Sequence, residues 1–139
     1  YETDRYHRTQ AAEPGVDKAD QWGVLVGLDY QGLTDYFISV QWFQSNVLGQ
    51  TDALVKNRQE NTLSLMVERN LFNETLLLKW LHLHSTNHGD GVLQPQLSYN
   101  LESDLDIFLS MDIFYGNEEG LYGQFDDADR ISVGFEWGF

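Results

Sequence analysis

The chain has no cysteine, two prolines and only eight lysines and arginines among its 139 residues. Without cysteine it can build neither a disulfide scaffold nor a thiolate metal site. Eight basic residues against 22 acidic ones give a formal net charge of −14. A nucleic-acid surface, which must neutralise phosphate, is therefore excluded. No run of about 18 apolar residues occurs and mean hydropathy is −0.40, which excludes a membrane-spanning helix. What is abundant is aromatic: 4 Trp, 7 Tyr and 8 Phe, or 14% of the chain. Acidic disordered chains are poor in such residues, so an ordered protein of at most one domain is expected. The chain opens on Tyr1 with no initiator Met or apolar leader, as expected of a processed form or a fragment.

Hydropathy runs with period two. Trp22, Val24, Val26, Leu28 and Tyr30 form one series, and Tyr36, Ile38, Val40 and Trp42 the next. Leu63, Leu65 and Val67 follow, then Leu76, Leu78 and Trp80. The last three series are Leu93–Leu101, Leu105–Tyr115 and Ile131–Phe139, each read at alternate positions. Strict alternation predicts strands with one apolar face. About seven strands of roughly nine to twelve residues are expected. After Trp80, His82 and His84 break the apolar series. A bulge would explain this, but a position at the upper edge of the apolar face is the preferred reading. Residues 32–35, 69–75 and 101–104 read as short turns, and 44–58, 85–91 and 116–129 as longer polar loops. Such alternation suits an antiparallel up-and-down meander over 21–139, with 1–20 as a loop or linker on the long-loop side.

Alternation does not say which face is wet, and a soluble sandwich or barrel satisfies it equally. The aromatics discriminate. Trp22, Trp42 and Tyr115 fall near the long-loop end, and Tyr30, Tyr36 and Tyr99 near the short-turn end. Val, Leu, Ile and Met occupy the stretch between, which predicts a lipid-facing band with two aromatic girdles. The opposite face carries Asp29, Gln41, Glu68, Lys79, Gln94, Gln96, Asp106, Asp112, Arg130 and Glu136. A dry core could not hold so many polar groups, so these residues are expected to line a lumen.

The C-terminus, ISVGFEWGF, places Ile131, Val133, Phe135, Trp137 and Phe139 at alternate positions ending on phenylalanine. This resembles the last strand of Gram-negative outer-membrane proteins, the signal read by the barrel-assembly machinery. The resemblance implies a transmembrane β-barrel in the bacterial outer membrane, with a periplasmic C-terminus and extracellular long loops. RNLFNETLLL (69–78), LSYNLESDLDIFL (97–109) and GLYGQFDDADRISVGFEWGF (120–139) together resemble the C-terminal region of a family of large, uncharacterised, porin-like proteobacterial outer-membrane proteins. The stretch Lys79–His84 departs from that family's plainer apolar face. Single-chain barrels have an even number of strands and no open edge in lipid, so seven strands read as the C-terminal portion of a larger barrel; an eight-stranded closed barrel is the alternative if residues 1–20 hold an irregular strand. Outer-membrane lipid, lipopolysaccharide and the remaining strands, from the same or another chain, would then be its partners.

Two clusters could carry chemistry. HLHSTNHGD (82–90) brings His82, His84, Ser85, His88 and Asp90 together near the long-loop rim, as a metal site or a Ser/His hydrolase would. Glu118, Glu119, Asp126, Asp127 and Asp129 lie in one loop without EF-hand spacing. Interfacial histidines and a solvated acidic loop are the plainer readings, so no catalytic, cofactor or metal residue is assigned. Inward acids Asp29, Glu68, Asp104, Asp106, Asp112 and Glu136 outnumber inward Lys79 and Arg130, which would favour cations or neutral solutes. The expectation is a porin-like channel rather than an enzyme. The alternatives are a barrel enzyme acting on lipid at the extracellular rim and a structural or interaction barrel.

Overall fold

In a computed structural model of the chain, residues 2–8, 16–32, 35–48, 58–102 and 104–138 are described, with side chains from Ala19 onwards. Eight strands follow one another: β1 (Glu2–Arg8), β2 (Val16–Gln31), β3 (Tyr36–Leu48), β4 (Gln59–Leu71), β5 (Leu76–Ser85), β6 (Asp90–Glu102), β7 (Leu105–Tyr115) and β8 (Arg130–Trp137). They form one sheet in chain order, and each neighbouring pair is antiparallel. The sheet is all-β and up-and-down, and it is open. Its edges are β1 and β8, which do not pair with each other among the described residues.

The seven strands read from alternation are β2 to β8. Residues 1–20 are not simply a loop or linker, because Glu2–Arg8 form a strand and β2 already begins at Val16. Likewise β3 runs to Leu48, and the loop expected at 85–91 shrinks to the turn between Ser85 and Asp90. In these stretches neither face is continuously apolar, so hydropathy carries no period. The backbone ladder needs only a partner strand and continues regardless.

β1 meets only the first part of β2, from Arg8↔Val16 to Glu2↔Gln21. Beyond that point, among the described residues, Trp22–Gln31 pair with β3 alone. Within the described residues both margins of the sheet therefore present unpaired backbone along most of their length.

At the short-turn end, Phe72, Asn73 and Glu74 carry positive φ of 54°, 55° and 67°. Left-handed backbone of this kind matches the twist of the flanking strands and permits a tight reversal. At the other end, Asn87 ties the β5–β6 turn to β4. Its side-chain oxygen accepts from the Asn61 N–H at 2.7 Å, and its amide donates to the Gln59 carbonyl at 2.8 Å.

The β4–β5 register is unbroken from Thr62↔Ser85 to Leu71↔Leu76. No bulge displaces His82 or His84, so both stay on the face of Leu78 and Trp80. Directly opposed residues share a face, and the ladders carry each face across the sheet. Tyr30 opposes Ile38, then Val67, Trp80 and Pro95. Pro95 lacks an N–H, yet the register holds across it from Leu93↔Ile113 to Leu97↔Leu109.

Candidate functional site

Burial is inverted relative to an ordinary domain. Among the described residues only Val47 and Val92 are apolar and buried, whereas Gln21, Ser39, Ser45, Ser85 and Asp90 are buried and polar. Val26, Leu28, Val40, Leu63, Leu65, Leu97, Leu109, Ile131 and Val133 are exposed on one continuous face, Leu28 at 75% and Val133 at 74%. The largest apolar patch on an ordinary soluble monomer is smaller than such a face.

The short-turn rim of this face runs obliquely across the strands. Tyr30 on β2 lies in the same hydrogen-bonded row as Pro95 on β6. Across Pro95 that row reaches Met111 and then Ile131 on β8. The aromatic residue on β6 is Tyr99, four positions further along and four strands away. On β8 it is Trp137, six positions beyond Ile131 and six strands away. From Tyr30 through Tyr99 to Trp137 the rim drifts on average one residue per strand, with Tyr36, two positions past the row on the next strand, standing one residue outside that line. With about 3.3 Å per residue and about 4.8 Å between strands, this is a tilt of roughly 35°. From Trp22 to Tyr30 the band spans eight residues, roughly 26 Å along the strand and roughly 22 Å perpendicular to the rim. Trp42 opposes Val26 and so lies four residues inside the level of Trp22. Arg69 reaches the short-turn rim with its guanidinium 4.6 Å from the Tyr36 ring centre, as a cation at a polar boundary does. Ile131, Phe135 and Trp137 stand exposed along the free edge of β8; Phe139 lies outside the described residues.

The other face collects Asp29, Gln41, Glu68, Lys79, Gln94, Gln96, Asp106, Asp112, Arg130 and Glu136. Asp104 sits in the turn before β7. Both cations are matched across strands. Lys79 Nζ lies 2.8 Å from Glu68, and Arg130 donates through Nε and an outer guanidinium nitrogen to Asp112 Oδ2, at 2.9 and 2.5 Å. Gln94 donates to the other Asp112 oxygen at 2.6 Å, and Asn100 to Asp106 at 2.9 Å. Among the described residues Asp29, Asp106 and Glu136 have no cationic partner on this face.

The β7–β8 loop folds back over this polar face at its long-loop end. Asp90, fully buried, accepts backbone N–H bonds from Tyr122 (2.6 Å) and Gly123 (3.2 Å) through Oδ2, while Oδ1 is left without a partner. A Cβ at Gly120 would run into that carboxylate. Phe125, in the single 3₁₀ turn Gly123–Phe125, packs against Phe114 with ring centres 5.6 Å apart. Asp129 Oδ1 accepts from the Phe114 N–H at 2.9 Å. Burial and the nearby Asp90 push the Tyr122 phenol above its ordinary value. The acids Glu118, Asp126 and Asp127 line a cavity of about 310 Å³ on this loop. The sequence placed Asp90 with the histidines, and its contacts with the β7–β8 loop could not be read there; the trace they leave is the spacing of Gly116, Gly120 and Gly123.

The histidine cluster divides between the faces. His82 and His84 oppose Leu65 and Leu63 on the apolar face, whereas Ser85 pairs with Thr62 and Asp90 on the opposite parity. Ser85 therefore cannot be activated by either histidine, and Asp90 serves the loop instead. The partner of the two histidines is Tyr115, two strands away. His82 Nε2 and His84 Nδ1 lie 2.7 and 2.9 Å from its hydroxyl. Gly91, on the strand between, makes this possible, since a Cβ there would strike the Tyr115 hydroxyl. Among the described residues no three His, Cys, Asp or Glu side chains gather as a metal-ligand group.

No family model, curated protein or solved structure matches the chain.

Proposed function

We propose that the chain is part of an outer-membrane β-barrel that forms a porin-like channel, its polar face turned to an aqueous lumen. The observation that carries this reading is the segregation of the faces. An exposed apolar surface is bounded by an aromatic rim that drifts on average about one residue per strand, while the face behind it is polar and pairs Lys79 and Arg130 with acids across strands. The resulting tilt of roughly 35° lies within the range of transmembrane barrel strands, and the band is close to the usual lipid-facing height of about 25 Å. Lipid tolerates no open sheet edge. Further strands, from the same polypeptide or another, therefore complete the barrel alongside Trp22–Gln31 and β8.

Selectivity follows from charge. Among the ten residues named on that face, five acids, Asp29, Glu68, Asp106, Asp112 and Glu136, stand against two cations, Lys79 and Arg130, three negative charges in excess. The inward-folded loop adds Glu118, Asp126 and Asp127 at the mouth. Small cations and neutral solutes are favoured over anions. The test is conductance of the complete purified barrel in planar bilayers, with reversal potentials measured in a salt gradient. Cation-selective conductance is expected. A folded barrel without conductance would remove the channel reading.

A further inference from the structure

We propose that His82, His84 and Tyr115 bind one divalent transition-metal ion, Cu²⁺ or Zn²⁺, at the long-loop rim of the apolar face. This goes beyond the channel reading. It rests on the local geometry of three side chains and holds whether or not the barrel conducts.

Three observations carry it. Two imidazole nitrogens, from alternate residues of one strand, converge on a single point marked by the Tyr115 hydroxyl oxygen, at 2.7 and 2.9 Å. Both histidines are half-buried rather than enclosed, so the point is reachable from the polar end of the sheet. Finally, Gly91 is what lets the Tyr115 hydroxyl reach this point, since a Cβ there would strike it.

The hydrogen bonding of the metal-free cluster is lopsided. A phenol has one proton, so it can donate to only one of the two imidazoles; the other must bring its own N–H. One ring is therefore held in the tautomer with a lone pair facing the oxygen, and the other is not. A cation resolves this by taking lone pairs from both rings. The second ring moves its proton to its far nitrogen, with no net loss. Zinc–nitrogen bonds are about 2.0–2.1 Å. A cation at the position of the hydroxyl would thus draw each nitrogen in by about 0.6–0.9 Å, within reach of small rotamer adjustments. Tyr115 backs away to become the third ligand, releasing its proton to solvent if it binds as phenolate. Imidazole suits copper and zinc, and copper binds more tightly in a site of nitrogen and oxygen donors. Calcium and magnesium, which want carboxylate and carbonyl oxygen, would pass it by.

The experiment is a calorimetric titration of the full, folded barrel in detergent micelles with CuCl₂ and ZnCl₂. Quenching of tryptophan fluorescence by Cu²⁺ is followed in parallel, because Trp80 lies two residues from His82 on the same face. One saturable site is expected, with proton release that varies with the ionisation enthalpy of the buffer. His82→Gln and His84→Gln should each weaken binding by about tenfold or more. Tyr115→Phe should weaken it less and abolish the proton release, and His88→Ala should leave it unchanged. Far-UV circular dichroism establishes that each variant is folded. The absence of a saturable site in the parent protein would overturn the proposal. So would binding that survives in the folded double variant His82→Gln/His84→Gln, which would place the ion on the acidic loop.

Discussion

β7 shows both faces of the molecule in eleven residues. Leu105, Ile107, Leu109, Met111, Ile113 and Tyr115 lie on one side, and Asp106, Phe108, Ser110, Asp112 and Phe114 on the other. In a soluble sheet the first set would be buried and the second left to water. Here Leu109 is 42% exposed, while Asp112 is held by a glutamine and an arginine. The difference is what the proposed membrane reading rests on: apolar side chains left exposed are stabilised by an apolar surrounding, and a face this polar by an aqueous one.

The most forceful way to break this comparison is to charge the exposed side. Leu109→Arg should cost about 2–4 kcal/mol when the barrel is unfolded by urea from phospholipid vesicles, since the residue falls near mid-band. On the surface of a water-soluble sheet the same change would cost well under 1 kcal/mol. An unchanged urea midpoint would place the apolar face in water.

The second test concerns how the polar side is closed over. Asp90→Ala should leave the Tyr122 and Gly123 N–H groups unpartnered, at about 1–3 kcal/mol of loop stability. Residues 116–129 should then be cut by added protease well before the sheet unfolds. Resistance equal to that of the parent would show that Phe125 on Phe114 alone holds the loop.

The smallest effect is expected within the polar ladder. Lys79→Ala removes a half-exposed ion pair with Glu68, worth about 0.2–1 kcal/mol. Because it also removes one of two cations from that face, the reversal potential should shift further toward cation selectivity. A shift the other way would mean that Glu68 alone does not face the conducting path.

The sequence made the middle of each strand legible and little else. Leu93, Leu97 and Leu109 could be assigned a face because one side of the sheet is uniformly apolar there. Glu2–Arg8, Val16–Gln21 and Gln44–Leu48 could not, since polar and apolar residues do not alternate along them and such a segment has no hydropathy period. The candidate sites divide in the same way. The ten polar residues follow from parity, so counting in twos collects all of them on one face. The environments of His82, His84 and Asp90 depend on partners 31 to 33 residues away: Tyr115 reached across Gly91, and a backbone turn folded inward. Only the register between strands, which no single segment encodes, brings those pairs together.

The drift of the aromatic rim has one more consequence. In the proposed barrel each strand would enter the bilayer about one step later than its neighbour, so the hydrogen-bonded rows would climb around the wall as a screw thread. After a full circuit of n strands the thread has advanced by about n residues, and the seam cannot join level ends. Whatever strand closes on β8 must therefore meet it displaced by that pitch. Its alignment is determined by the curvature of the whole wall rather than by anything β8 offers locally.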